Sequence, residues 1–284
     1  MIVTTQTTTG PVILVGLAHT GKTPLRIALA TDPDLDMTRH VEHWLGRRRR
    51  FKDLSRPEDR TRFLDELLKS DPLAALKADE ELTSRFEHGP ADFYQLLGAA
   101  HKTLAASRGK KRWGIQLGEG AAIADEVLAS IPDAVVIHLV RHPACQLAFG
   151  PQDSLRLVWN AVKWRVSATR ATEHAEVFDH RYRIVRYEDI AANPGEALSA
   201  ISTVAGIRYH DAQEAAFTAH LPAKAQPPAL SETRVRLVRF ITARAAARIG
   251  YPIGADDGTW SRDTSTGLAT GRAAREAHAE RRKQ

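Results

Sequence analysis

Eight residues near the start of the chain, Gly16-Leu17-Ala18-His19-Thr20-Gly21-Lys22-Thr23, match G-x-x-x-x-G-K-[ST] at every position. Glycines let such a loop curl until successive N–H groups face one anion, and a helix opening behind it adds partial positive charge. Lys22 can neutralise phosphate oxygens, while Thr20 and Thr23 bring hydroxyl donors. The pattern predicts a phosphate-bearing ligand, and a tight turn without one is the plainer alternative. A kinase or ATPase also needs a carboxylate at a neighbouring strand end to hold magnesium. The apolar run from Ala134 ends instead in Leu139-Val140-Arg141-His142, which supplies cations. Glu188 and Asp189 follow another strand-like segment, but a carboxylate beside a bound polyanion would repel it, so both read as structural. The second site is built for an anion, and no metal ligand set is expected.

These residues need elements to hold them. Gly10-Pro11 leads into a buried strand, Val12 to Val15, and the loop then opens an apolar helix from about Gly21 to Ala30. Asp32-Pro33 ends that helix, and an extended piece from Met37 to Trp44 follows. From Pro57 to about Arg108 the pattern is helical, with Phe63, Leu64, Leu67 and Leu68 on one stripe and Leu96, Leu97 and Leu104 on another. This reads as a helical insertion covering a sheet. A short strand over 112–117, a helix over 121–128 and a buried strand over 134–139 come next. Leu155, Val158, Trp159, Val162 and Val166 then describe the apolar face of a long helix. Tyr182 to Tyr187 alternates like a strand. Asn193 can cap a helix with Pro194 at its first position, and a late helix carrying Val235, Val238, Ile241, Ala245 and Ile249 stops at Gly250. The expected organisation is a loose Thr-rich leader over 1–10, one α/β unit over 11–254 with the insertion at 57–108, and a peripheral basic tail over 255–284.

Composition narrows the class. The chain has 284 residues, 43% hydrophobic and 26% charged, which excludes wholesale disorder, collagen-like repetition and a disulfide scaffold. No apolar stretch approaches the roughly 20 residues of a membrane helix, so no integral membrane segment is expected. Cys145 is the single cysteine and cannot form an internal disulfide, which points to a reducing, cytoplasmic compartment; it reads as a buried small apolar residue. The net charge is +6, and the last eighteen residues supply +3 of it. Such a mild surplus suits an anionic small ligand better than nucleic acid. Trp113, Trp159 and Trp164 read as core, with stacking on a base as the alternative for one of them. The run Arg47 to Arg50 is a solvated face or, more sharply, a clamp for an acidic acceptor. The sequence leaves oligomeric state open, a homodimer included.

Three separated segments resemble the sulfotransferase family, whose donor is 3′-phosphoadenosine-5′-phosphosulfate (PAPS). Pro11 to Thr23 is similar to the family's 5′-phosphosulfate loop, P-I-F-I-V-G-x-x-R-S-G-T-T. Ile137-His-Leu-Val-Arg-His-Pro143 is similar to its 3′-phosphate segment, I-x-L-V-R-D-P, and Val185-Arg-Tyr-Glu-Asp-Ile190 with Asn193-Pro194 and Ala205-Gly206-Ile207 to V-R-Y-E-D-L…P…L-G-L. The resemblance spans about Pro11 to Gly250 and implies a three-layer α/β/α fold around a central, mostly parallel sheet. It implies sulfuryl transfer from PAPS to a hydroxyl of a small-molecule, carbohydrate or lipid acceptor. His19, Thr20, Gly21, Lys22 and Thr23 would hold the 5′ end of the donor and Arg141 its 3′-phosphate. Arg39-His40-Val41-Glu42-His43-Trp44 resembles the family's P-E-T-H-F segment, which makes Glu42 the base, with His40 as runner-up. A late basic loop, here around Lys224, could close over the nucleotide. The chain departs from the family at Lys22, where a small hydroxyl residue is usual, and at His19, where a basic residue is. Phe149, eight positions after Arg141, stands where a serine is usual, and Gln116-Leu117-Gly118 replaces a K-T-P segment. Lys22 keeps a P-loop kinase open as an alternative reading, and Phe149 and Gln116 keep open a non-catalytic nucleotide-binding relative.

Overall fold

The computed structural model describes residues 10–39, 51, 53–69, 72–118, 121–151, 153–221 and 230–251. Val12–Val15 and Val135–Val140 are apolar runs dominated by β-branched residues, the composition of strands covered on both faces. They form β1 and β4, and every residue of both is buried. The two lie side by side in parallel, Val12 opposite Val135 and Val15 opposite His138. With β2 (Leu35–Arg39), β3 (Arg112–Gln116) and β5 (Tyr182–Arg186) they make a parallel sheet in the order β2-β3-β1-β4-β5.

Strand side chains alternate between faces, so the sheet has two cores. Val12, Leu14, Ile137 and Leu139 pack with α1 (Lys22–Leu29), α8 (Tyr187–Ala192), α9 (Pro194–Ala205) and α10 (Asp211–Ala219). Ile13, Val15, Ile115 and Val136 pack with α2 (Pro57–Leu67), α3 (Glu80–His88), α4 (Phe93–Ser107) and α5 (Ala124–Ser130). The fold is therefore the three-layer α/β/α arrangement. Among the described residues of 57–108 the elements are helices, and Phe63, Leu64, Leu67, Leu96, Leu97 and Leu104 are buried in the core on that face of the sheet. Asn193 caps α9 by position only, since its side chain makes no cap bond.

One helix turns a different face inward from the expected one. In α7 (Ser154–Phe178) the buried residues are Leu157, Ala161, Trp164, Ser167, Ala168, Ala171 and His174. Three alanines among them let the helix approach α11 (Glu232–Arg248) and the sheet closely. The stripe read from hydrophobicity lies outside: Leu155 is 83%, Trp159 59% and Val166 45% exposed. Trp113 and Trp164 are core as expected, and Trp159 is not.

The chain leaves β1 toward β2 and β3 on one side and reaches β4 and β5 on the other. The C-terminal ends of β1 and β4 thus meet at the topological switch of the sheet, where parallel α/β folds place their ligands. Residues 1–9, His40 to Trp44, the four-arginine run, Lys224 and the tail over 255–284 lie outside the described residues.

Candidate functional site

The glycine loop follows β1 and opens α1, and its glycines are held there by geometry. Gly16 has φ 149°, and a Cβ on it would lie 2.4 Å from the Leu139 carbonyl oxygen. Gly21 has φ 90°, and its Cβ would lie 2.4 Å from the Tyr187 ring. Between them His19 also takes a left-handed conformation, φ 64°, which an L side chain adopts at a cost. The first turn of α1 has no side-chain cap and no acidic residue of its own, which leaves its N–H groups without a capping carboxylate among the described residues.

Lys22 is buried and donates to the carbonyl oxygens of Gly16 and Leu17 at 2.6 Å each, while Thr20 donates to Leu17 at 3.0 Å. Thr23 is exposed on the first turn of the helix. His19 loses proton affinity through partial burial and the nearby charges of Lys22 and Arg141, so its pKa falls below 6.5. Three of the positively charged or protonatable side chains expected from the sequence therefore converge on one small volume.

Arg141 leaves the end of β4 and turns toward the loop, with Nη1 donating to the His19 carbonyl at 3.4 Å. Its guanidinium lies between two rings, 4.3 Å from the centroid of Tyr187 and 4.9 Å from that of Phe149. Phe149, at the end of α6 (Pro143–Ala148), also stacks on His19 at 5.5 Å between centroids. The usual serine position is thus filled by a ring that packs against the Arg141 guanidinium and the His19 ring. Behind them, the buried Glu188 carboxylate accepts from the His142 N–H and the Tyr251 hydroxyl, both at 2.8 Å. Burial raises the Glu188 pKa in spite of these donors. Asp189 pairs with Arg186, and the Trp164 indole donates to the Arg141 carbonyl at 3.0 Å. Glu188 thus braces the end of β4 and Asp189 the end of β5, both in the structural role expected of them.

The base candidates Glu42 and His40 lie outside the described residues. Gln116 ends β3, buried, with an Oε1 that has no partner among the described residues. Sequence reasoning missed Tyr187 and Tyr251, whose ring and hydroxyl hold Arg141 and Glu188. The only signal was for Tyr187, which stands between Arg186 and Glu188; Tyr251, between Gly250 and Pro252, carried none. It also missed the cavity of about 750 Å³ that opens between the loop and the outer face of α7, lined by Leu17, His19, Gln146, Trp159 and Val166 among others. Cys145 is half-buried, and burial pushes its thiol up to about 12.

Comparison with solved structures finds the same architecture. The sulfotransferase domain of the curacin biosynthetic pathway is 15% identical and superposes with a TM-score of 0.55 over 86% of this chain and 99% of that one. The sulfotransferase domain of the Synechococcus PCC 7002 olefin synthase is 21% identical, with a TM-score of 0.47 over 81% of this chain and 94% of that one. A mouse sulfotransferase complexed with PAP is 12% identical, with a TM-score of 0.45 over 95% and 89%. None of the curated proteins matches the chain. Residues 11–211 match the model of the sulfotransferase family, from the strand before the loop to the start of α10. By that match the chain belongs to the sulfotransferase family.

Proposed function

We propose that the chain moves a sulfuryl group from PAPS to a hydroxyl of a small-molecule, carbohydrate or lipid acceptor and releases adenosine 3′,5′-bisphosphate (PAP). The observation that carries this reading is the approach of the Arg141 guanidinium to the glycine loop, 3.4 Å from the His19 carbonyl. Two anion-binding groups separated by more than a hundred residues then serve one doubly charged nucleotide. The residues present fit such a donor. The helix N-terminus lacks a side-chain cap, the loop glycines leave room where a Cβ would collide, Lys22 and Arg141 supply positive charge, and His19 offers a ring that takes up a proton beside a bound anion. A guanidinium forks onto phosphate oxygens in a way that an ammonium cannot.

When bound, PAPS supplies a sulfuryl group on a phosphate leaving group, so a bond from the acceptor oxygen to sulfur forms as the bond from sulfur to the 5′-phosphate oxygen breaks. Lys22 turns from the loop carbonyls to the charge that grows on the leaving oxygen, and Thr20, Thr23 and the loop N–H groups add hydrogen bonds. His19 lies at the same place and accepts a proton as negative charge accumulates. Glu42 takes the acceptor's hydroxyl proton, with His40 as runner-up. Arg141 holds the 3′-phosphate and fixes the nucleotide's register against the loop. The single cysteine, which cannot form an internal disulfide, suits a cytoplasmic location.

Calorimetric titration separates this reading from a kinase. PAP is expected to bind in the micromolar range without magnesium, and ATP with magnesium to compete weakly. Magnesium-dependent ATP binding with no response to PAP would overturn it.

A further inference from the structure

The cavity beside the loop is bounded on one side by Leu17, Ala18 and His19 and on the other by the outer face of α7. Trp159, Lys163, Val166 and Arg170 recur on that face at helical spacing, so the wall runs roughly 16 Å along the helix. Trp159 and Val166 are among the few large apolar side chains left open to water among the described residues. An exposed apolar strip inside a concavity is the form of a ligand site, not of ordinary surface. The charge is as one-sided as the polarity. Lys163, Arg170 and His19 line the cavity, and no carboxylate does so among the described residues. Lys163 rests its ammonium 5.3 Å from the centroid of the Trp159 ring. Gln146, nearly buried in the wall, has an Oε1 with no hydrogen-bond partner among the described residues.

We infer that this cavity takes an elongated, mainly apolar acceptor alcohol that also carries an anionic group, and that Lys163 and Arg170 receive that group. A medium-chain hydroxy acid is the simplest member of the class. The apolar body covers Trp159 and Val166, the hydroxyl lies toward Leu17 and His19, and the carboxylate meets the cations on α7. The inference deepens the proposed sulfuryl transfer and rests on it for the direction of the hydroxyl; binding itself does not require the reaction.

The test compares a medium-chain ω-hydroxy fatty acid with its methyl ester by calorimetry, on the wild-type chain, a Lys163→Ala/Arg170→Ala variant and Trp159→Ala. PAP binding to the same samples reports the nucleotide site and the fold separately. The acid is expected to bind about tenfold tighter than the ester, the size of one charge-assisted contact. That preference should fall toward parity in the double variant with PAP binding unchanged, while Trp159→Ala weakens acid and ester alike. Equal binding of acid and ester to the wild type, a preference that survives the double variant, or binding of neither while PAP binds would overturn the inference. A preserved acid preference without transfer from PAPS supports this acceptor site and contradicts the reaction instead.

Discussion

The Arg141 guanidinium sits between the rings of Tyr187 and Phe149 with one nitrogen directed at the loop. Its direction therefore comes from packing and does not await a ligand. Arg141→Lys keeps the charge and loses the fork, and we expect PAP affinity to fall about tenfold or more, as for the loss of a charge-assisted hydrogen bond. His19 gives a pH signature. Its pKa lies below 6.5 in the free protein, and a bound polyanion raises it. Binding therefore takes up a proton, so PAP affinity should decline as pH rises from the free to the bound pKa and then level off. Titrations of His19→Arg should show no such slope. Glu42→Ala should lower turnover by about a hundredfold or more with PAP binding retained, and Lys22→Ala should lower both. Lys22, Thr20 and Arg141 were legible in the sequence because a backbone-shaped loop and a strand end fix where such side chains go. The ring partners of Arg141 were not, because Phe149 and Tyr187 meet it only through the tertiary fold.

The elements that carry the site are braced by one small network behind β4. Tyr251, just beyond α11, donates to Glu188, which also accepts from the His142 N–H directly after Arg141. Tyr251→Phe removes one donor from a buried carboxylate, at a cost of about 1–3 kcal/mol, and frees the segment bearing Arg141. Urea denaturation should show the loss of stability, and PAP titration a weaker affinity without a change in stoichiometry. An unchanged unfolding midpoint would remove Glu188 from this role. Gly21→Ala meets both a positive φ and the Tyr187 ring, so a loss of about 1–3 kcal/mol is expected along with weaker PAP binding. Strands β1 and β4 were readable because burial on both faces leaves an unmistakable apolar run. The inner face of α7 was not. Hydrophobic periodicity records which side of a helix is apolar, and here Trp159, Val162 and Val166 face a cavity while Leu157, Trp164 and three alanines make the core contact.

At the scale of the whole molecule, the parallel order of the strands places the ends of β1 and β4 together, and two buried histidines show what that core costs in acid. His101 and His138 are each 1% exposed, and burial drops their pKa values to about 4 and about 3. The unfolded chain binds protons near pH 6.5 that the folded one refuses, so stability is present above that value and is lost as pH falls through the window toward 4 and 3. The urea midpoint should drop across that range, and His101→Gln should make the decline shallower. The overall α/β order was legible from strand and helix periods. The strand order was not, because hydrophobicity does not say which neighbour a strand pairs with. What unites these scales is the claim that the loop and Arg141 grip opposite ends of one nucleotide. The most direct measurement is the affinity of PAP against that of adenosine 5′-monophosphate, in the wild type and in Arg141→Ala. PAP should bind far more tightly to the wild type, and the advantage of its 3′-phosphate should vanish in the variant while monophosphate binding stays nearly constant. A 3′-phosphate advantage of the same size in both proteins would contradict the account.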